Sequence, residues 1–253
     1  MRGLKEKVFV LAGAGSGIGM TTAIRLAEEG ATVAIGDIDG GAADALAARI
    51  NADGGRAIGV QFDISDDASV KNLFDTTVAQ LGGIDGALIN AAEMRAIMSD
   101  GDALDVELAV FDRTIAVNLR GHLLCTRHAL PALLERGGGS IVYTSSAAAF
   151  VGEPTRVAYG ISKGGLNALM RHVASRWGRE NIRANAVAPG FVPTEKTRDS
   201  LPPEFIEHVL AAARSPRMGE TGDIAAMITL LLSEDGSWIN GQAISVDGGS
   251  TLR

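Results

Sequence analysis

Short apolar runs alternate with longer amphipathic stretches along almost the whole chain. Val8 to Ala12, Thr32 to Gly36, Ala57 to Gln61, Gly86 to Asn90, Ser140 to Ser145, Arg183 to Ala188 and Ala243 to Val246 read as strands. Several are nearly continuous in apolar residues, the pattern of a parallel strand covered on both faces. Thr21 to Glu29, Ala42 to Asn51, Asp66 to Leu81, Phe111 to Glu135, Val157 to Gly178 and Gly222 to Ser233 have the character of helices. This alternation predicts an α/β fold with a seven-stranded, doubly wound parallel sheet flanked by helices. No linker-like or low-complexity tract interrupts it, so residues 1–253 are read as a single domain. The segment 193–216, with Pro202, Pro203, Pro216 and a short helix from Phe205 to Ala213, breaks the alternation and is expected to cover a substrate pocket.

Candidate chemistry begins right after the first strand, where Ala12 leads into Gly13, Gly15, Ser16, Gly17, Ile18 and Gly19. Glycines at a strand-to-helix turn let the backbone approach a pyrophosphate, and the first helical amides supply positive partial charge. A tight structural turn is the bland alternative. The second strand runs into Asp37, which is placed to accept hydrogen bonds from adenosine ribose hydroxyls. An NADP site would want an arginine here, and neither Ser16 nor Ile38 supplies one. The expected cofactor is therefore NAD on a Rossmann-type sheet. Asp63 and Asn90 fall at equivalent strand ends, where either could also be a plain turn former.

The run from Ser145 and Ser146 to Tyr159 and Lys163 carries the most information. Tyr159 and Lys163 stand four apart in a helical stretch and so share a face. A phenol titrates near ~10, and a neighbouring ammonium lowers that value toward useful basicity. Ser146 could hold a substrate oxygen while Tyr159 exchanges its proton, which is alcohol–ketone chemistry. Such a pair also arises by chance on solvated helices; the glycine-rich turn upstream favours the reactive reading.

With these motifs, the chain from Lys5 to Gly249 resembles the short-chain dehydrogenase/reductase family. The family's Tyr-x-x-x-Lys pattern is met by Tyr159 and Lys163, and its serine thirteen residues earlier by Ser146. The resemblance implies that Asn118 is a further catalytic residue holding a relay water beside Lys163. It also implies that Asp63 and Ile64 meet the adenine, and that Tyr159 and Lys163 touch the nicotinamide ribose. The family's Pro-Gly-x-Val-x-Thr stretch matches Pro189, Gly190, Val192 and Thr194, implying that Val192 and Thr194 meet the nicotinamide carboxamide. Ile38 beside Asp37, and Ala91 beside Asn90, complete the implied cofactor set. Two positions depart from the family pattern: Ala12 replaces a threonine, and Ala92 replaces a glycine and puts the local backbone in question.

Composition narrows the function further. The net charge of −7 argues against a nucleic-acid partner. The lone Cys125 excludes an internal disulfide, and no apolar stretch reaches membrane-spanning length, so a soluble, cytoplasmic protein is expected. His122 and His128, six apart on one predicted helix, make no metal motif, and no metal is expected. Glu93, Met94, Arg95, Ala148, Phe150, Val151, Glu153 and Phe191 are the candidate substrate-pocket residues. This mostly apolar set suits a cyclic, aromatic or steroid-like alcohol or ketone. A 3-oxoacyl thioester reductase is an alternative that Asp37 argues against, since that chemistry usually takes NADPH. A non-catalytic NAD-sensing protein is another, which the presence of Ser146, Tyr159 and Lys163 argues against. Trp177 and Trp238 are expected to pack. Leu123, Leu124, Leu130, Leu166, Leu169 and Met170 look like more apolar surface than one sheet needs, which predicts a homo-oligomer, and the family resemblance implies a homotetramer.

Overall fold

Alternate residues of the first strand feed two separate cores. A computed structural model, describing residues 1–194, 197 and 201–252, buries all five residues of β1 (Val8–Ala12) and all four of β4 (Gly86–Ile89). Val10 and Ala12 enter one cluster, with Val70, Leu73, Leu124, Met170 and Val173. Phe9 and Leu11 enter the other, with Ala23, Leu26, Leu46, Ile224 and Leu231. Opposite faces of a pleated strand are thus both apolar because helices cover both.

The remaining strands are β2 (Thr32–Asp37), β3 (Arg56–Gln61), β5 (Gly139–Thr144), β6 (Ile182–Pro189) and β7 (Ala243–Val246). All pair in parallel, in the order β3-β2-β1-β4-β5-β6-β7. The chain winds outward from β1 to β3, then returns to place β4 on the other side of β1. Ligands bind at such a reversal, outside the carboxyl ends of the strands. The helices α1 (Gly17–Glu28), α2 (Gly40–Ala52) and α8 (Thr221–Leu232) cover one face, and α3 (Asp67–Leu81), α5 (Gly121–Glu135) and α6 (Val157–Trp177) cover the other. Asp39 and Asp66 cap α2 and α3, each side chain accepting a hydrogen bond from an amide of the first turn.

Four sequence readings need correction. The stretch Phe111 to Glu135 is not one regular helix: α4 (Leu108–Ile115) passes through a π-helical segment, Ala116–Arg120, into α5. A π segment inserts residues without changing which types are apolar, so periodicity hides it. Helix α1 starts at Gly17 rather than Thr21, because glycine's poor helix propensity disguises its first turn. Trp238 does not pack; it is 99% exposed. Finally, Leu124, Leu130, Leu166 and Met170 are buried in the chain's own core, so most of the presumed apolar surplus is consumed by the sheet. Leu123 alone of that set stays strongly exposed, and Trp177 packs against the core as expected.

Within the segment 193–216, α7 (Pro203–Ala212) is present but buries none of its residues; positions 195, 196 and 198–200 lie outside the described residues. Among the described residues, no helix is long and apolar enough to cross a membrane.

Candidate active site

At the carboxyl end of β1 the chain turns sharply enough that two glycines cannot be replaced in place. Gly13 adopts φ +89°, and a Cβ there would lie 2.5 Å from the Ala91 backbone; at Gly19 a Cβ would lie 2.3 Å from the Gly13 carbonyl oxygen. Asn90 Nδ2 donates to that same carbonyl at 2.7 Å, while Asn90 Oδ1 accepts from Thr144 Oγ1 at 2.9 Å. Asn90 therefore ties the glycine turn to β5. Asp37 holds the turn from the other side, its carboxylate accepting from Gly15 N at 2.8 Å and Asp39 N at 3.1 Å.

Helix α1 begins on this turn with Ser16 at its N-cap position, making no side-chain cap, and with no acidic residue in its first turn. An uncapped helix start above a glycine cradle fits a dinucleotide pyrophosphate. Ile38 is 60% exposed beside Asp37. Asp63 accepts from the Ser65 amide (2.8 Å) and hydroxyl (2.6 Å). Burial pushes its carboxyl up, but the Ser65 hydrogen bonds and nearby Arg113 hold it below the usual range. Ile64 is buried, packed so closely on α5 that a Cβ at Gly121 would meet its carbonyl at 2.7 Å. Beyond β6, Gly190 passes close to Asp247, Val192 packs against the core, and the Thr194 side chain stands next to Gly17.

Neither family departure disturbs this frame. Ala92 is not among the described non-glycine residues with positive φ, which are Glu6, Arg156 and Asn181, so its side chain costs no backbone strain. Ala12 lacks a hydroxyl, yet its carbonyl accepts from both Asn90 N and Ala91 N at 2.9 Å.

The four candidate catalytic residues come together at the ends of β5 and α6. Ser146 follows β5, its hydroxyl accepting from Ala148 N at 3.2 Å, and it stands close enough to the Tyr159 phenol to pull its titration down. Lys163 is 1% exposed; its Nζ donates to the Thr144 carbonyl at 2.8 Å and lies 5.6 Å from the centre of the Tyr159 ring. Asn118 sits fully buried in the π-helical segment, where its Oδ1 accepts from Glu93 N at 2.7 Å and its Nδ2 donates to Ser162 Oγ at 3.3 Å.

Burial sets the electrostatics. It pulls the Lys163 ammonium down to about 8. It pushes the Tyr159 phenol above its ordinary value, against the opposing pull of Ser146 and Arg156. The expectation that Lys163 brings the phenol down is thus reversed: in this low-dielectric site the desolvation of a phenolate outweighs the charges around it. His122, one turn beyond Asn118, is driven down to about 3 by burial and by Lys163, so it stays neutral. Burial likewise pushes the Cys125 thiol up, away from reactivity. Among the described residues, no cluster of His, Cys, Asp or Glu could hold a metal.

Three of the expected pocket residues, Ala148, Val151 and Glu153, line a cavity of about 680 Å³ together with Leu104, Val157 and Ile161. Glu153 pairs with Arg156 at 2.5 Å. Glu93, Arg95, Phe150 and Phe191 stand outside that cavity. Glu93 spends its carboxylate on Arg113 and on the amides of Arg95 and Ala96, Met94 and Arg95 are exposed, and Phe191 meets Phe205 of α7 edge-on at 4.9 Å. Sequence reasoning missed Arg113, which bridges Glu93 and Ser65. It also missed Asp100, a buried carboxylate at the start of α6. Both act across gaps in the chain that local patterns do not register.

A family model described as enoyl-(acyl carrier protein) reductase matches residues 13–251. The chain is 42% identical to a probable short-chain type dehydrogenase/reductase of Bradyrhizobium diazoefficiens, over 96% of this chain and 86% of that protein. It is 38% identical to the cis-4-hydroxycyclohexanecarboxylate dehydrogenase of Sinomonas cyclohexanicum, over 97% of each. Its fold matches that of a 7α-hydroxysteroid dehydrogenase complexed with NADH and 7-oxo glycochenodeoxycholic acid, with a TM-score of 0.91 and 30% identity over 99% of this chain and 97% of the other. Motif, sheet order and relatives agree, and the chain belongs to the short-chain dehydrogenase/reductase family of oxidoreductases.

Proposed function

We propose that the protein interconverts a secondary alcohol and a ketone, using NAD. The observation that carries this reading is Tyr159 flanked by Ser146 and by buried Lys163, whose Nζ lies 5.6 Å from its ring, at the strand ends that also hold the glycine cradle. A bound nicotinamide ring supplies or accepts the hydride. The chain's own groups do the rest: Ser146 holds the substrate oxygen, Tyr159 takes or returns its proton, and Lys163 and Asn118 pass that proton onward. Gly13, Gly15, Ser16, Gly17, Ile18 and Gly19 cradle the pyrophosphate, and Asp63, Ile64, Asn90, Ala91, Pro189, Gly190, Val192 and Thr194 border the rest of the cofactor.

Asp37 supports NAD over NADP. Its carboxylate accepts from the Gly15 and Asp39 amides, and a carboxylate there suits ribose hydroxyls rather than a 2′-phosphate. For the substrate, a cyclic, aromatic or steroid-like alcohol fits the largely apolar cavity wall and the Phe191–Phe205 pair. Two of the similar proteins are named for ring alcohols, one a hydroxycyclohexanecarboxylate and one a hydroxysteroid. The segment 193–216 is assigned to cover that substrate. A second reading is reduction of the ketone of a 3-oxoacyl thioester; the description of the matching family model shares its acyl-carrier type of substrate but names an enoyl reduction.

The test is nucleotide turnover with NAD or NADP against cyclic alcohols, hydroxysteroids, aromatic diols and a 3-oxoacyl thioester. NAD is expected to outpace NADP by at least about tenfold, because a phosphate beside Asp37 adds like-charge repulsion. Equal rates would overturn the Asp37 assignment, and thioester turnover alone would install the second reading.

A cytoplasmic homotetramer is the assembly we assign. Leu104 (89%), Leu108 (75%) and Trp238 (99%) are large apolar side chains left open, and Leu123 and Ile161 stand half exposed on α5 and α6. Light scattering should return four times the chain mass at micromolar protein; a monomer mass would remove the tetramer.

A further inference from the structure

Helix α6 carries both Tyr159 and Lys163, yet nothing local starts it. Its N-cap position is Arg156, a cation in the left-handed region (φ +64°) that makes no capping hydrogen bond. A cation at a helix N-terminus opposes the helix dipole, and a non-glycine residue in that conformation persists only where its surroundings enforce it. What enforces it is a loop far upstream. Arg156 N and Val157 N donate to the carbonyls of Asp100 (3.3 Å) and Gly101 (3.2 Å). Ala158 N and Tyr159 N donate to the two carboxylate oxygens of Asp100, at 3.1 and 2.8 Å.

Two adjacent residues therefore take four consecutive amides, which a helix start ordinarily leaves to a local cap or to water. Asp100 is only 6% exposed, so this is a built contact rather than a surface one. The shortest of the four bonds ends on the amide of Tyr159 itself. The loop is fixed in turn by Asp102, whose carboxylate accepts from Leu104 N at 2.8 Å and Asp105 N at 3.1 Å. Asp102 and Leu104 also line the cavity, together with Val157 and Ile161.

We infer that Asp100 is a positioning residue for Tyr159: a cap supplied from a distant loop that sets where the phenol stands relative to Ser146 and Lys163, and that joins the cavity wall to the reacting group. The inference rests on the proposed role of Tyr159, but its geometric part can be read without turnover.

The experiment compares Asp100→Ala and Asp100→Asn with wild type, and with Ser233→Ala, which removes a cap remote from the site. Asp100→Ala should lower kcat by about tenfold or more, raise the solvent deuterium isotope effect on kcat, and leave NADH affinity within about twofold. Asp100→Asn, which keeps one carbonyl acceptor, should fall between that variant and wild type and is the variant to use if the alanine form does not fold. Ser233→Ala should lose stability without losing kcat.

The chain has two tyrosines, Tyr143 and Tyr159, so ring-labelled protein gives an internal control. Both Asp100 variants should move the Tyr159 ring resonance and its titration midpoint while Tyr143 stays in place. A kcat within about twofold of wild type in the folded variant, or an unmoved Tyr159 resonance, overturns the inference. If wild type turns over none of the alcohols, the proposed reaction fails, and the ring spectra still decide whether Asp100 positions Tyr159.

Discussion

Tyr159→Phe is expected to lower kcat by roughly 10²–10⁴-fold, the range of a general acid–base group, while NADH affinity stays within about twofold. The substitution removes one hydroxyl and leaves the ring beside Lys163. The cradle from Gly13 to Gly19 is untouched, so cofactor binding and proton transfer should separate cleanly. Steady-state kinetics together with NADH fluorescence titration would show that split. The wild-type pH profile should carry the same signature. Burial holds the Tyr159 phenol above its ordinary value, and alcohol oxidation needs its ionised form. The rate of oxidation should therefore climb with rising pH up to that value, and ketone reduction, which needs the protonated form, should fall. The variant should lose this limb. A Tyr159→Phe protein retaining more than about a tenth of wild-type kcat would remove Tyr159 from the chemistry.

What the sequence made legible follows from range. Strands β1 and β4 could be read because helices on both faces demand apolar residues at every position, a signal that needs no partner to be known. Tyr159 and Lys163 could be paired because four residues on a helix fix a shared face. The glycine turn could be read because Gly13 and Gly19 answer a steric demand within the turn and its neighbours. Legibility fails where a partner is remote or an effect depends on burial depth. Asp100 caps a helix that begins more than fifty residues later, and no window of periodicity reaches that far. The π-helical segment that seats Asn118 keeps an ordinary helical composition. The Leu124, Leu130, Leu166 and Met170 side chains look surplus in a list and prove to be core in the fold. The sign of the Tyr159 shift was misread for the same reason: charge proximity is visible in the sequence, and desolvation is not.

Lys163→Met should abolish most activity and yet stabilise the protein near neutral pH. Burying the ammonium pulls its pKa from 10.5 down to about 8. At about 1.36 kcal/mol per unit, this sets a desolvation cost of order ~3 kcal/mol whenever the group is charged. Methionine is of similar length and escapes that cost, but it strands the Thr144 carbonyl that Nζ now serves, a loss of about 1 kcal/mol. A net gain of roughly 1–2 kcal/mol near pH 7 remains. The sign then fixes the pH dependence. Below about 8 the lysine is charged in both the folded and unfolded chains, and wild type bears the full cost. Between about 8 and 10.5 the unfolded chain keeps a proton that the folded chain releases, so wild-type stability rises through that window. Methionine cannot follow, and the variant's advantage should shrink toward the alkaline end. Urea unfolding of both proteins at about pH 7 and about pH 10 measures this directly, and turnover of the same samples should fall by roughly 10²-fold or more. A variant less stable than wild type near neutral pH would mean that the Thr144 hydrogen bond outweighs desolvation, and that Lys163 is held for structure. The expected result places it among residues kept for chemistry at the expense of stability, since a charge confined beside Tyr159 is useful to proton transfer for the same reason that it is costly to bury.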